Sequence, residues 1–155
     1  MQRVTNCIVI SNGNVLLIKK PRRGWYAIPG GKMEPGETIK ESAIREFQEE
    51  TDLQLHDPRL VGVFTFMIYR HNDLVQEWMM FTFTDSEPEG VMSHFCKEGE
   101  LEWVALEAID DVPMAEGDRK IFDHVLSSDE SILYGSFSYT EDYELLYVRL
   151  DPTRS

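Results

Sequence analysis

The chain has 155 residues, 42% of them hydrophobic and 11% aromatic, enough to close one core without covalent or metal staples. A formal net charge of −13 excludes a broad basic surface for a nucleic-acid polymer, but not a small anionic substrate bridged by a divalent cation. Two cysteines without paired spacing argue against a disulfide framework or a structural zinc; with no apolar run of membrane or leader length, a cytoplasmic location is expected.

In chain order, "VTNCIVI" predicts a strand, "SNGN" a turn and "VLLIKK" a second strand. After the turn "PRRG", the stretch "WYAIPGGKMEPGE" predicts a short strand running into a Gly- and Pro-rich loop. "TIKESAIREFQEET" predicts a helix, and "LVGVFTFMIYR" and "LVQEWMMFTFTD" a β-hairpin closed at "HND". A short strand and a helical turn are expected in "LEWVALEAIDDV", and an amphipathic helix in "DRKIFDHVLSS". "SILYGSFSYT" and "YELLYVRLD" predict a closing pair of strands, followed by a frayed tail. The pattern is α/β with a single domain over residues 1–150 and a tail over 151–155.

The first helix gathers an unusual number of carboxylates. Thr38 is placed to cap it, with Glu41 three residues on to complete a capping box. At about 100° per residue from Ile39, the apolar Ala43, Phe47 and Ile44 fall at about 40°, 80° and 140°. Glu50 lands at about 20°, inside that stripe, with Glu46 and Glu49 at about 340° and 280°. Carboxylates crowded at the edge of a buried stripe must take up protons or be compensated by cations. Arg45 compensates one of them, and a hard divalent ion would compensate the rest. From the residues alone, the cluster is either a metal site or an unusual surface.

Residues 31–53, "GKMEPGETIKESAIREFQEETDL", resemble the box of the Nudix hydrolases at Gly31, Glu37, Arg45, Glu46, Glu49, Glu50 and Leu53. Phe47 stands where the box has an aliphatic residue, and Asp52 where it has the Gly that ends the helix in a left-handed conformation. The resemblance implies an α/β/α sandwich around a mixed sheet. It also implies that Glu46, Glu49 and Glu50, with the Gly30 carbonyl, bind Mg²⁺ or Mn²⁺. Gly31 and Glu37 would brace the loop together with Arg45. Glu46 and Glu49 are both candidates for the general base in substitution by water at phosphorus.

Further segments resemble the MutT-type branch, which acts on oxidised purine nucleoside triphosphates such as 8-oxo-dGTP. "KEGELEW" implies Glu98 as a further metal ligand, and "PMAEGDRKIF" places Asp118 against the purine edge. The match is weaker in the base pocket, where Ala27 and Glu116 replace amide side chains of the branch. Other Nudix activities, on a sugar nucleotide or a dinucleotide, and a non-catalytic nucleotide-binding regulator are the alternatives. In each case the partner is a small nucleotide, not a polymer or a membrane.

Lys32, fixed by its loop, is the better phosphate contact, and Arg23 is a second candidate in a turn that can equally be solvated surface. Phe64 and Phe66 alternate on one strand face, where they either stack a base or belong to the core. Asp118 reads equally as a plain helix N-cap.

Overall fold

The computed structural model describes residues 1–21 and 24–153. The strands are β1 (Gln2–Ser11), β2 (Asn14–Lys19), β3 (Tyr26–Ala27), β4 (Gly30–Lys32), β5 (Arg59–Arg70), β6 (Asp73–Ser86), β7 (Phe95–Cys96), β8 (Gly99–Ala105), β9 (Leu133–Thr140) and β10 (Leu145–Asp151). They form one mixed sheet in the order β10-β9-β5-β6-β1-β2-β8-β7, with β3 beside β2 and β4 beside β1. The β1–β6 and β5–β9 pairs are parallel and the rest antiparallel.

Strands β1 and β2 show why two layers cover this sheet. Thr5 to Val9 and Val15 to Ile18 are unbroken buried runs, the mark of strands covered on both faces. With a period of two, Ile8, Val15 and Leu17 enter a core with Phe64, Phe66 and Phe137, covered by Ile121 and Phe122 of helix α2 (Glu116–Val125). Cys7, Val9, Leu16 and Ile18 enter the opposite core, covered by Ala43 and Phe47 of helix α1 (Ile39–Thr51). Burying a side chain the size of Phe47 contributes about 1.5–3 kcal/mol, so α1 is held by its stripe rather than by propensity alone. The α/β/α sandwich expected from the resemblance is the fold.

The β1–β2 turn uses Asn12 and Gly13 at φ 52° and 77°, the paired positive values of a type I′ hairpin. Helix α2 begins at Glu116 and ends at Val125, earlier at both ends than the apolar spacing suggests. At its end the Ser127 hydroxyl donates to the His124 carbonyl at 2.6 Å, taking an acceptor that a further turn would need. Strand β10 continues through Asp151, which pairs with Tyr134. No described helix is long and apolar enough to cross a membrane.

Candidate active site

Beyond their shared turn, β1 and β2 part. The start of β1 and the end of β2 face each other across a cleft of about 830 Å³. Gln2, Val4, Ile18 and Lys20 form these walls, and Gly30, Gly31 and Lys32 of β4 lie between them. Glu46, Glu49 and Glu50 of α1 also line the cleft, as do Ile28 and, at β7 and its turn into β8, Cys96, Lys97 and Glu98.

The segment entering α1 is fixed by local chemistry. The Glu41 N–H donates to Thr38 Oγ1 at 3.0 Å while the Thr38 N–H donates to Glu41 Oε1 at 2.8 Å, forming the expected capping box. At the other end Asp52 takes the left-handed conformation, φ 64°, and its N–H donates to the Gln48 carbonyl. Arg45 ties the loop to the helix. Its Nε and one terminal nitrogen grip both Glu37 oxygens at 2.6 and 2.9 Å, and that same nitrogen donates to the Lys32 carbonyl at 3.1 Å. The remaining nitrogen donates to Glu46 at 2.9 Å and to Glu49 at 3.1 Å. This forked grip, joined by the Glu34 N–H, holds the Glu37 carboxyl down at about 2.

Gly31 lies so close to α1 that a Cβ there would collide with the Glu46 carboxylate. Gly31→Ala is therefore expected to fold, because only the tip of a flexible side chain must move, yet to displace Glu46. Thermal melts should match the parent within about 2 °C, while turnover falls roughly tenfold or more. Unchanged kcat would mean that the position of Glu46 does not matter.

Glu50 is the desolvated member of the cluster. Burial pushes its carboxyl from 4.5 up to about 7, against a bond from the Gly30 N–H at 2.6 Å, with the charges of Glu46 and Glu98 pushing the same way. The carboxylates facing the cleft are the hard oxygen donors that Mg²⁺ or Mn²⁺ takes, and a cation would relieve the charge that Glu50 resists. As they stand, no three acidic, histidine or cysteine side chains among the described residues converge to hold an ion. Glu46 and Glu49 turn to Arg45, Glu50 to the Gly30 N–H, and Glu98 to Lys20 at 3.5 Å. In chemistry, the donor set fits a divalent ion.

If Glu50 is a ligand, its proton must leave before the ion binds, and Mg²⁺ affinity should then tighten as pH rises from about 6 to 8. Calorimetry in buffers of different ionisation heat should detect proton release at about pH 6.5 that fades by about pH 8. A pH-independent affinity would remove Glu50 from the donor set.

A second cavity, of about 310 Å³, opens on the α2 side of the sheet. Phe66 and Trp78 stack at 5.2 Å between ring centres and line it, together with Trp25, Tyr26, Met80, Tyr139 and Tyr143. Asp118 is its one carboxylate among the described residues, raised to about 6 by burial although Lys20 pulls the other way.

The cavity separates the base-contact candidates. Phe66 is on the wall; Phe64 is not, and lies fully buried with its ring filling the space beside Gly62. Base stacking by Phe64 is thus corrected to a core role. Asp118 is not an N-cap, because Ala115 holds that place and Asp118 sits inside the first turn. Lys32 lines the cleft, whereas Arg23 lies outside the described residues. Sequence reasoning missed Lys20, which lines both cavities and meets Glu98; its only signal was membership of the basic run "KKPRRG".

This geometry agrees with what the chain is similar to. The NUDIX domain model matches residues 1–125. The Nudix hydrolase YvcI of Bacillus subtilis (strain 168) is 47% identical over 152 residues, covering 98% of this chain and 96% of its own. The crystal structure of the mutator MutT protein of Bacillus halodurans superposes with a TM-score of 0.95 at 50% identity, covering 99% of this chain and all of that one. The NUDIX domain of Shewanella oneidensis NrtR, solved with ADP ribose, shares the fold at a TM-score of 0.65 and 13% identity, over 79% and 84% of the two chains. The chain belongs to the Nudix family of hydrolases, enzymes that act on nucleoside diphosphate derivatives with divalent metal ions.

Proposed function

We propose that this protein hydrolyses a nucleoside triphosphate to the monophosphate and pyrophosphate with Mg²⁺ or Mn²⁺, and that its substrate is an oxidised purine nucleotide such as 8-oxo-dGTP. The observation that carries the reading is the place of Lys20, shared by the carboxylate cleft and the aromatic cavity. A base seated over Phe66 and Trp78 directs its phosphates past Lys20 into the cleft, where Lys32 contacts them.

Glu46, Glu49 and Glu50 hold the metal, joined by Gly30 and by Glu98 once it leaves Lys20. Bound there, the ion neutralises phosphate oxygens and lowers the pKa of the attacking water. A carboxylate takes the water proton as the oxygen bonds to phosphorus, the bridging P–O bond breaks, and pyrophosphate leaves with that electron pair. Glu46 and Glu49 are the candidate bases. Glu49, the more exposed, offers water the freer approach, and Arg45 aims both. Gly31 and Glu37 keep the loop in place, while Asp118, its carboxyl raised to about 6 by burial, reads the edge of the base.

The test is a panel of ordinary and oxidised nucleoside triphosphates and nucleotide sugars with Mg²⁺, scored for pyrophosphate and monophosphate. Preferred turnover of an oxidised purine is the expected result. Preferred turnover of a nucleotide sugar would keep the chemistry and overturn the substrate, and no turnover at all would favour a regulator that only binds nucleotide.

A further inference from the structure

The wall of the aromatic cavity carries no amide side chain among the described residues; Ala27 occupies one edge of it. One amide lies just beneath. Asn6 of β1 is 8% exposed, and its Nδ2 donates to the Met80 thioether at 3.2 Å. Met80 in turn lines the cavity beside Phe66 and Trp78. The other end of the amide, Oδ1, is buried without a hydrogen-bond partner among the described residues, as is the hydroxyl of Thr82, the residue paired with Asn6 across the β1–β6 register.

Buried polar atoms are almost always satisfied, so two orphans on paired residues need a cause. The sheet supplies none. Val4 and Ile8, two residues to either side on the same face, are aliphatic, so the face itself does not call for an amide at position 6. The one bond Asn6 makes is to a thioether, a weak acceptor that a better partner displaces. The side chain holding it there is Met, unbranched and free about three bonds. Gly30 lets β4 lie close against this part of β1, since a Cβ there would collide with the Thr5 carbonyl and with the Cα and Cβ of Asn6.

We infer that Asn6 is a specificity-determining residue: when Met80 turns aside, Asn6 Oδ1 accepts a hydrogen bond from an N–H on the ring edge of the nucleobase seated over Phe66 and Trp78. This rests on the reading of the aromatic cavity as the base site. In that arrangement Nδ2 exchanges its thioether for a ring nitrogen or carbonyl oxygen, so the amide reads a donor and an acceptor together.

The test uses metal-free, ¹⁵N-labelled full-length protein titrated with dAMP, dGMP, dCMP, dTMP and 8-oxo-dGMP, with the Asn6 amide signals assigned by their loss in Asn6→Leu. The expected result is that the tightest-binding monophosphate shifts both the Trp78 indole and the Asn6 amide. Asn6→Leu should then weaken that nucleotide by about tenfold or more and compress the ranking among bases. Its melting temperature should equal or exceed the parent's, because an unpaired buried group is gone. If the leucine variant does not fold, Asn6→Ser carries the same comparison. Movement of Trp78 without Asn6, with the ranking intact in the variant, overturns the role of Asn6 and leaves the base site standing. Silence of both signals with every nucleotide removes the base site and this inference with it.

Discussion

Replacing Glu49 or Glu50 by glutamine is expected to lower metal-dependent turnover at least ~100-fold while the protein keeps its fold. Neither side chain is among the fully buried residues of α1, and in Glu50→Gln the side-chain carbonyl can still accept the Gly30 N–H. The stability of Glu50→Gln gives a second, independent readout. The Glu50 carboxyl is raised from 4.5 to about 7, so the native state holds a proton that the unfolded chain releases. The stability this contributes is complete below about pH 4.5 and is lost as pH rises through about 7. The glutamine variant has no such proton to lose. In EDTA its melting temperature should exceed the parent's by a margin that widens between about pH 5 and 8, measured by circular dichroism. Hydrolysis at the parent rate in either variant would sink the metal-site assignment.

Arg45→Lys should do the opposite to stability. An ammonium cannot reproduce a fork that holds Glu37 by two bonds while meeting Glu46, Glu49 and the Lys32 carbonyl. We expect the melting temperature to fall by roughly 5–10 °C and turnover by about tenfold or more, since the loop and the carboxylates lose a common anchor. Glu37, held at about 2, keeps that anchor charged deep into acid; what it contributes is present above its ordinary 4.5 and disappears only as pH drops through about 2. Acid titration of the parent should therefore leave the loop protected from proteolysis at about pH 4, and the lysine variant should be cut there. Equal protection would show that Arg45 does not hold the loop.

Helix α1 was readable from sequence because everything that defines it is local. The capping box and the stripe are spacings within one element, the left-handed Asp52 follows from its place in the Nudix box, and each is present in the structure. The bracing of the loop by Arg45 and Glu37 came from the resemblance to the Nudix box, since it joins residues of the loop and the helix. The cavities were harder. Asn6, Trp78 and Tyr139 come from three strands and Lys20 follows a fourth, and only the sheet order brings them to neighbouring places. Phe64 and Phe66 could not be separated by periodicity, since both point to the same face; their depth along β5 decides, with Phe64 beside Gly62 in the interior and Phe66 at the cavity. Two-residue strands such as β7 hold too few residues for a period to register.

The alternation of β1 and β2 between two cores has a bearing on how such an enzyme diversifies. Odd-numbered Cys7 and Val9 meet the helix that carries the carboxylates, while even-numbered Asn6 and Ile8 point to the side where the aromatic cavity opens. If the aromatic cavity is the base site, a change at Asn6 can retune what is recognised without touching the carboxylates, whereas Gln2 and Val4, further back on the same strand, line the carboxylate cleft. Selectivity could then change at one residue of this strand while the carboxylate layer is left as it is.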